Sequence, residues 1–505
     1  MNKIISIDDV NNIIKKNKSN KKIILCHGVF DLLHIGHLKH FKEAKKLADL
    51  LIVSITPDKY VNKGPGRPFF SEQFRLEALS AIEIIDYVIL NNSPDAISLI
   101  NKIKPNIYFK GPDYKKSQDD VTGKIVDERK AVSRNNGIIK FSKSFTFSSS
   151  KLLNQNFRIF NKEQEKIIKI IKKEYKFENI RQILEQINRL KILVIGETII
   201  DEYVFCDALG KSGKESVLAL RNNRTEKYLG GVLAIAQNLI QFSENVSVLS
   251  YNGDEKSNLD FIKKNINKKI KLNFLKKFNT PTIVKKRFLD DVDGKKILGV
   301  YDLNDDNLSL EEEKKFKLKI DKLKKNQDIV IVSDFGHGII TQNIANYITK
   351  KSKKLSVNAQ VNAANIGFNN IKKYKNLDTL VINASELRQE MRERNGDLKK
   401  LAIKLKRDIA ANKVVVTMGK DGVFGLNENN KLFKCPAFAG LPVDKIGAGD
   451  TLFAIFSLFI NTKSIEINLP LFLSSLAAAE NVKIMGNKNS ISKIDLLKSI
   501  EYMMK

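Results

Sequence analysis

Cysteine, histidine and long apolar runs are all scarce in this 505-residue chain, and each scarcity excludes something. The three cysteines, Cys26, Cys206 and Cys435, are odd in number and far apart. They frame neither a disulfide scaffold nor a metal cluster, and a reducing compartment is expected. The longest apolar run, 451–460, is too short to span a bilayer. The first residues are polar and charged, without a signal-peptide pattern. A cytoplasmic protein with no membrane insertion is therefore expected. Acidic residues are outnumbered, with 57 Asp and Glu against 87 Lys and Arg and a net charge of +30. The basic residues are spread along the chain rather than gathered. We read the excess as compositional bias without a specific nucleic-acid partner, although the field suits anionic sugar phosphates and nucleotides. The length accommodates two or three domains, and 42% hydrophobic with 29% charged residues fits a globular protein.

What is present is concentrated. Four of the five histidines, His27, His34, His37 and His40, fall within residues 25–40. An apolar run at 22–26 reads as a buried strand. Leu38, Phe41, Ala44, Leu47 and Ala48 have helical spacing. The histidines thus sit where a strand ends and a helix begins, with Gly28 in the turn. Such a turn offers backbone N–H groups and a positive dipole end to a phosphate. His34 and His37 are i, i+3 and share one face of the first helical turn. Core histidines and a metal site are the competing readings. Cys26 with Asp31 is poor support for a metal.

Further along, 50–55, 87–90, 107–110 and 138–141 read as strands, and Ser6 to Asp9 as a cap for a short leading helix through Ile14. The basic loop from Val61 to Pro68 carries two glycines. Beside the histidine turn it is a candidate phosphate clamp, with Lys63 as point charge and Arg67 as fork. The motif Gly28-x-Phe30-Asp31-x-x-His34-x-Gly36-His37 resembles the signature of the cytidylyltransferase-like superfamily. Together with Lys63-Gly64-x-Gly66-Arg67-Pro68, Lys104-Pro105, Lys110-Gly111-x-Asp113-Tyr114 and Ser148, Ser149 and Ser150, residues from about 20 to 153 resemble the adenylyltransferase part of the bacterial bifunctional heptose-7-phosphate kinase/heptose-1-phosphate adenylyltransferase family. The resemblance implies that His34 and His37 stabilise charge on the α-phosphate. It also implies that Gly28, Phe30, Asp31, Lys63, Arg67, Gly111, Asp113 and the serines bind nucleotide. His27 stands where that family usually has Asn.

Residues 154–190 alternate charged and apolar residues at helical spacing and are expected to form a helical linker that packs on one or both domains. From 191 onward, strands are expected at 192–195, 330–332, 379–382 and 414–416. Asp201 lies just beyond the first of these, at the end where α/β sheets bind ligands. In Asp444 to Thr451, small residues open a helix, leaving N–H groups for a transferring phosphoryl and Asp450 to take a hydroxyl proton. Gly230-Gly231, Asn383-x-x-Glu386, Thr417-x-Gly419-x-x-Gly422 and Gly447-Ala448-Gly449-Asp450 occur in the order found in ribokinase-like sugar kinases, the family of the minor phosphofructokinases. That resemblance implies Asp450 as base, Asn383 and Glu386 near Mg²⁺ and phosphates, Thr417 to Gly422 lining ATP, and Asp201 with Gly230 and Gly231 on the sugar.

The fold expected is therefore α/β throughout. A Rossmann-like nucleotidyltransferase domain (1–153), a linker (154–190) and a ribokinase-like kinase domain (191–505) follow in an order reversed relative to the family resembled. The resemblance implies an enzyme that makes a nucleotide-activated sugar, such as ADP-heptose, for a surface polysaccharide, with a homodimer and a separate sugar-bisphosphate phosphatase. Departures bear on the substrate. Val232-Leu233-Ala234 replaces Ala-Ala-Asn, Asn358-Ala359-Gln360 replaces Asp-Pro-Lys, and Gly299-Val300-Tyr301-Asp302 lacks the usual Arg. A different sugar or polyol phosphate, with CTP in place of ATP, remains open. His-Ile-Gly-His at 34–37 and Lys-Phe-Ser-Lys-Ser at 140–144 also resemble class I aminoacyl-tRNA synthetase motifs. The short gap between them, and the absence of an evident anticodon domain, weigh against tRNA. A scaffold with one dead domain is the third reading, and Asp450, His34 and His37 all being present weighs against it.

Overall fold

The computed structural model describes residues 3–10, 12, 21–112, 124–143, 160–253, 255–277, 279–361, 365–440, 443–460, 462 and 465–504. Asp113, Ser148, Ser149 and Ser150 lie outside the described residues, as does most of the leading helix. The chain divides into two compact units, Met1–Asn161 with Ile494–Lys505, and Lys162–Lys493.

The first unit contains strands β1 (Ile4–Ile5), β2 (Ile23–Gly28), β3 (Leu50–Ile55), β4 (Tyr87–Leu90), β5 (Ile107–Lys110) and β6 (Ile138–Phe141). They form one parallel sheet in the order β1-β4-β3-β2-β5-β6. A parallel sheet is covered on both faces, so its strands are apolar throughout, and all six residues of β3 are buried. Successive residues of β2 serve opposite faces. Ile23 and Leu25 join one core cluster with Ile52 and Tyr108, while Ile24 and Cys26 join another with Val53 and Phe109. Four of the strands expected from sequence are found with those bounds. β1 was not foreseen, because two residues carry no periodicity.

The second unit begins with β7 (Lys191–Gly196), β8 (Thr198–Lys211), β9 (Leu218–Gly231), β10 (Asn245–Asn252), β11 (Lys271–Lys276), β12 (Ile283–Asp290) and β13 (Lys296–Asp302). It continues with β14 (Ile329–Asp334), β15 (Leu355–Ala359), β16 (Thr379–Asn383), β17 (Lys413–Thr417), β18 (Val423–Leu426) and β19 (Leu432–Cys435). The main sheet runs β11-β10-β7-β14-β15-β16-β17-β18-β19, parallel from β11 to β17 and antiparallel beyond. A smaller side sheet runs β13-β12-β8-β9.

One boundary meets a different arrangement. Within the expected linker, the helices Lys162–Glu174 and Phe177–Ile187 form and pack as part of the second unit. Gln164 Nε2 donates to the Ala437 carbonyl at 2.6 Å, and Asn468 bonds Glu174. The last helix, Lys493–Met504, was assigned to the kinase domain, yet from Ile494 on it groups with the first unit. Its Asp495 and Tyr502 bond Asn62 and Arg67, partners more than 430 positions away that no local pattern announces.

Leu25 is fully buried at the centre of the first sheet. Leu25→Ala should cost about 2–5 kcal/mol, through lost burial and the cavity left behind. A lowered urea midpoint measures this.

Candidate active sites

In the first sheet β2 lies between β3 and β5, and its carboxyl end delivers His27 and Gly28 into the turn before helix Ile35–Lys45. Phe30 turns the chain with a left-handed φ of 51°, and its ring packs edge-on against His37 at 5.3 Å and against Phe41 at 5.2 Å. A side chain at Gly28 would crowd that ring at 3.1 Å. Gly28 and Phe30 therefore shape the turn around His37.

The four histidines have separate tasks. His27 Nδ1 pairs with Ser54 Oγ at 2.8 Å, tying β2 to β3, and His40 stacks near Phe109 at 4.8 Å. His34 and His37 stack on each other at 4.0 Å. His34 is the helix N-cap, where Gly36 N–H donates to its Nδ1 at 3.0 Å. That bond leaves the proton of the neutral ring on Nε2, so His34 offers a donor. Burial lowers the pKa of His34 and, with the charges of His34, Lys63 and His40, lowers that of His37 to about 3. These are neutral hydrogen-bonding groups at neutral pH. His37 Nδ1 is buried with no partner among the described residues, an orphaned polar atom in the place expected for a phosphate.

Arg67 corrects the expected clamp. Its side chain is fully buried, and Nε lies 2.5 Å from Asp31 Oδ2. Asp31 also accepts from the N–H groups of Phe69 and Phe70, at 2.8 and 2.9 Å. The fork is turned inward because the loop needs an internal anchor, and Asp31 is its anion. The charge of Lys63 is among those that depress the pKa of His37. Gly111, at the end of β5, faces open space.

In the second unit, a cavity of about 300 Å³ opens at the carboxyl ends of β15, β16 and β17, under the side sheet. It brings together Asp201, Gly231, Asn383, Glu386, Thr417, Gly447, Gly449 and Asp450. Gly230, Gly419, Gly422 and Ala448 stand outside its lining. The paired glycines serve local geometry. A Cβ on Gly230 would come within 2.5 Å of the Asp201 carboxylate, and one on Gly231, at φ 55°, within 2.4 Å of the Glu197 carbonyl. Gly422 likewise leaves room for the Cys435 carbonyl. Asn383 and Glu386 form a capping box on helix Ala384–Met391. Asn383 Oδ1 accepts from Ser385 N–H at 2.7 Å, and Glu386 Oε2 accepts from Asn383 N–H at 2.9 Å. Burial raises the pKa of Glu386.

Asp450 lies in the first turn of helix Ala448–Ser457, capped by Gly447 at φ 83°. Burial, followed by the charge of Asp201, pushes its pKa up to about 7. Gln360 Nε2 donates to its Oδ1 at 2.9 Å, so a residue noted only as a departure orients the candidate base. Sequence reasoning also missed Lys285 and Arg287, which line the cavity. They are i, i+2 on β12, hence on one face, and the parallel register sets Lys285 opposite Asp201. Arg287 Nη1 reaches Asp201 Oδ1 at 2.5 Å. Strand alternation was the available signal, masked by the lysine-rich surroundings. Asp444 ties the side sheet to the glycine loop. It accepts from Tyr203 Oη and Lys296 Nζ, each at 2.7 Å, and from Ile446 N–H at 3.1 Å.

The sequence model of the pfkB family carbohydrate kinase matches residues 189–467, more than half of the chain. The chain belongs to the pfkB family. Ahead of that pfkB half, the cytidylyltransferase-like model matches residues 25–155, so the order is transferase first and kinase second, as the motifs implied. Escherichia coli phosphofructokinase-2, in complex with substrates and products, shares the fold of the pfkB half with a TM-score of 0.51 at 14% identity, over 63% of this chain and 100% of that one. Among curated relatives, the bifunctional protein HldE of Campylobacter concisus is 38% identical over 128 residues, 25% of this chain and 27% of its own length. HldE of Campylobacter jejuni strain RM1221 is 28% identical over 316 residues, 62% of this chain and 65% of its own length. The chain thus spans less than two thirds of either relative's length.

The buried Asp31–Arg67 pair yields a stability prediction. Asp31→Ala leaves the guanidinium without its anion and should cost about 3–5 kcal/mol, read as a lowered guanidinium chloride midpoint.

Proposed function

We propose that the chain is a bifunctional enzyme making a nucleotide-activated sugar, ADP-heptose being the product favoured by the family resemblance. The pfkB half phosphorylates a sugar hydroxyl from ATP, and the first unit joins a sugar 1-phosphate to a nucleotide with release of pyrophosphate. The observation that carries this reading is Asp450. It is a carboxyl poised near neutrality at a glycine-capped helix start, held by Gln360 and facing a cavity lined by Asp201, Lys285 and Arg287.

In this reading the sugar hydroxyl gives its proton to Asp450 while its oxygen attacks the γ-phosphorus of ATP in line. Backbone N–H groups at Gly447 to Gly449 receive the charge on the transferring phosphoryl. Asp201, held by Arg287, orients the sugar hydroxyls, and Lys285 adds positive charge. Glu386, whose two oxygens each accept one backbone N–H, and Asn383 are the residues that would hold Mg²⁺ through its water ligands. The ion would supply charge neutralisation on the phosphates. In the first unit, His34 and His37 donate to the α-phosphate as neutral imidazoles, and Lys63 offers its charge beside them.

A sugar that retains a second phosphate needs a separate phosphatase between the two steps. No helix among the described residues is long and apolar enough to cross a membrane. The side sheet leaves Leu298, Val300 and Tyr301 exposed, which favours a second copy of this chain as partner.

The two chemistries should separate by single substitutions. Asp450→Asn should lower the kinase rate by about 10²–10⁴ and leave nucleotidyl transfer from supplied sugar 1-phosphate unchanged. His34→Ala should lower transfer by about 10²–10³ and spare the kinase. Loss of both activities in a folded Asp450→Asn protein refutes the two-site reading. Pyrophosphate release with CTP and none with ATP refutes adenylyl transfer.

Kinase kcat/KM should also rise with pH through about 7, as Asp450 loses its proton. The Asp201 charge raises that pKa and the Lys285 charge lowers it. Asp201→Asn should therefore move the acid limb to lower pH, and Lys285→Met to higher pH. Limbs that stay in place in both variants rule out Asp450 as the titrating base.

A further inference from the structure

The loop that offers Lys63 to the histidine site is held by the end of the chain. Asn62 Nδ2 donates to Asp495 Oδ1 at 2.8 Å. Gly64, at φ 94°, faces the last helix, and a Cβ there would lie in ordinary contact, 3.4 Å from the Tyr502 ring and 3.6 Å from Ser499 Cα. Arg67 Nη1 donates to Tyr502 Oη at 3.2 Å, with its guanidinium 5.0 Å from the ring centroid. Ser499, Ile500, Tyr502 and Met503 are all buried. On its other side Arg67 pairs with Asp31, inside the histidine motif. A continuous path therefore runs from Tyr502 through Arg67 and Asp31 to the turn that carries His34 and His37.

The energetics give this path a direction. Arg67 is a buried cation with three nitrogens: Nη1 donates to Tyr502, Nε lies against the Asp31 carboxylate as an ion pair, and neither Nε nor Nη2 makes a hydrogen bond among the described residues. A buried guanidinium left with a counter-ion but without its hydrogen bond is strongly drawn to water. Without Tyr502, the cheapest way to hydrate Arg67 is to open the 61–68 loop, which carries Lys63 away from His37.

We propose that the last helix is a working part of the nucleotidyltransferase site, with Tyr502 a positioning residue that sets the Lys63 loop through Arg67. This rests on reading the first unit as a nucleotidyltransferase. Binding of the nucleoside triphosphate then depends on the final residues of the chain, although every motif that signals the site lies in the first third.

The test uses the full-length chain with Tyr502→Ala and Tyr502→Phe. Pyrophosphate release is followed with ATP and heptose 1-phosphate, kinase activity in parallel, and amide exchange across 61–70. In Tyr502→Ala the KM for ATP in the transfer reaction should rise about 10–100-fold, the equivalent of a hydrogen bond to a charged group. Exchange at 61–70 should quicken, and kinase constants should stay within about twofold, the scatter expected of a remote substitution. Tyr502→Phe keeps the ring and should fall between parent and Ala, and it decides the matter if Tyr502→Ala does not fold. Unaltered transfer constants and loop exchange in a folded variant overturn the proposal, as does an equal loss in both activities. An active parent with unaffected variants sinks the proposal alone. A parent that releases no pyrophosphate with any nucleoside triphosphate sinks the reading of the first unit, and the proposal with it.

Discussion

Parallel strands impose the constraint on which both units depend. A strand can be followed by a parallel neighbour only if the chain crosses back over a face of the sheet, so every strand leaves at the same edge. In the first unit this sets Gly28, at the end of β2, on the same edge as Gly111, just past the end of β5. In the second it sets Gln360, Asn383 and Thr417 at the ends of three adjacent strands, where all three line one cavity. Residues far apart in sequence meet because the connection rule leaves the loops nowhere else to gather. The side sheet is mixed, with β8–β9 and β12–β13 antiparallel. Its central strands β8 and β12 run parallel and bring Asp201, Lys285 and Arg287 to the cavity.

The two sites use burial to opposite ends. Around His34 and His37 it strips the imidazoles of charge, leaving donors that need not exchange a proton. Around Asp450, burial and the neighbouring Asp201 lift a carboxyl into the range where it can take a proton and give it back. A group that only donates hydrogen bonds can sit far from its ionisation midpoint. A group that must accept a proton cannot. The same desolvation is tuned in the second site by Gln360 and Lys285, both of which favour the ionised form.

Legibility from sequence followed the length scale of the interaction. Four strands of the first sheet were read with their observed bounds, since buried parallel strands are short apolar runs bounded by turns. The histidine turn and the helix start at Asp450 were legible because each is a contiguous run of residues at one helix start. Arg67 was misread because its partner is set by tertiary packing: a basic residue in a glycine loop looks the same whether its fork points to a ligand or to a buried Asp31. Lys285 and Arg287 vanished into a lysine-rich background, and Gln360 was seen only as a missing Asp-Pro-Lys. The reach of the last helix to Asn62 and Arg67 has no local signature at all.

Asp444 joins parts of the second unit that are otherwise separate in the chain. Tyr203 of β8 and Lys296 of β13 hang from its carboxylate, and so does the N–H of Ile446, the residue before the glycine cap. The ceiling of the cavity and the cradle at its far end are thus pinned by one side chain. In mechanical terms they are a single yoke: whatever displaces the ceiling is felt at the cradle, without passing through the central sheet. A substitution at Lys296, on the outermost strand of the side sheet, is by this route felt one residue from the glycine cap of the Asp450 helix.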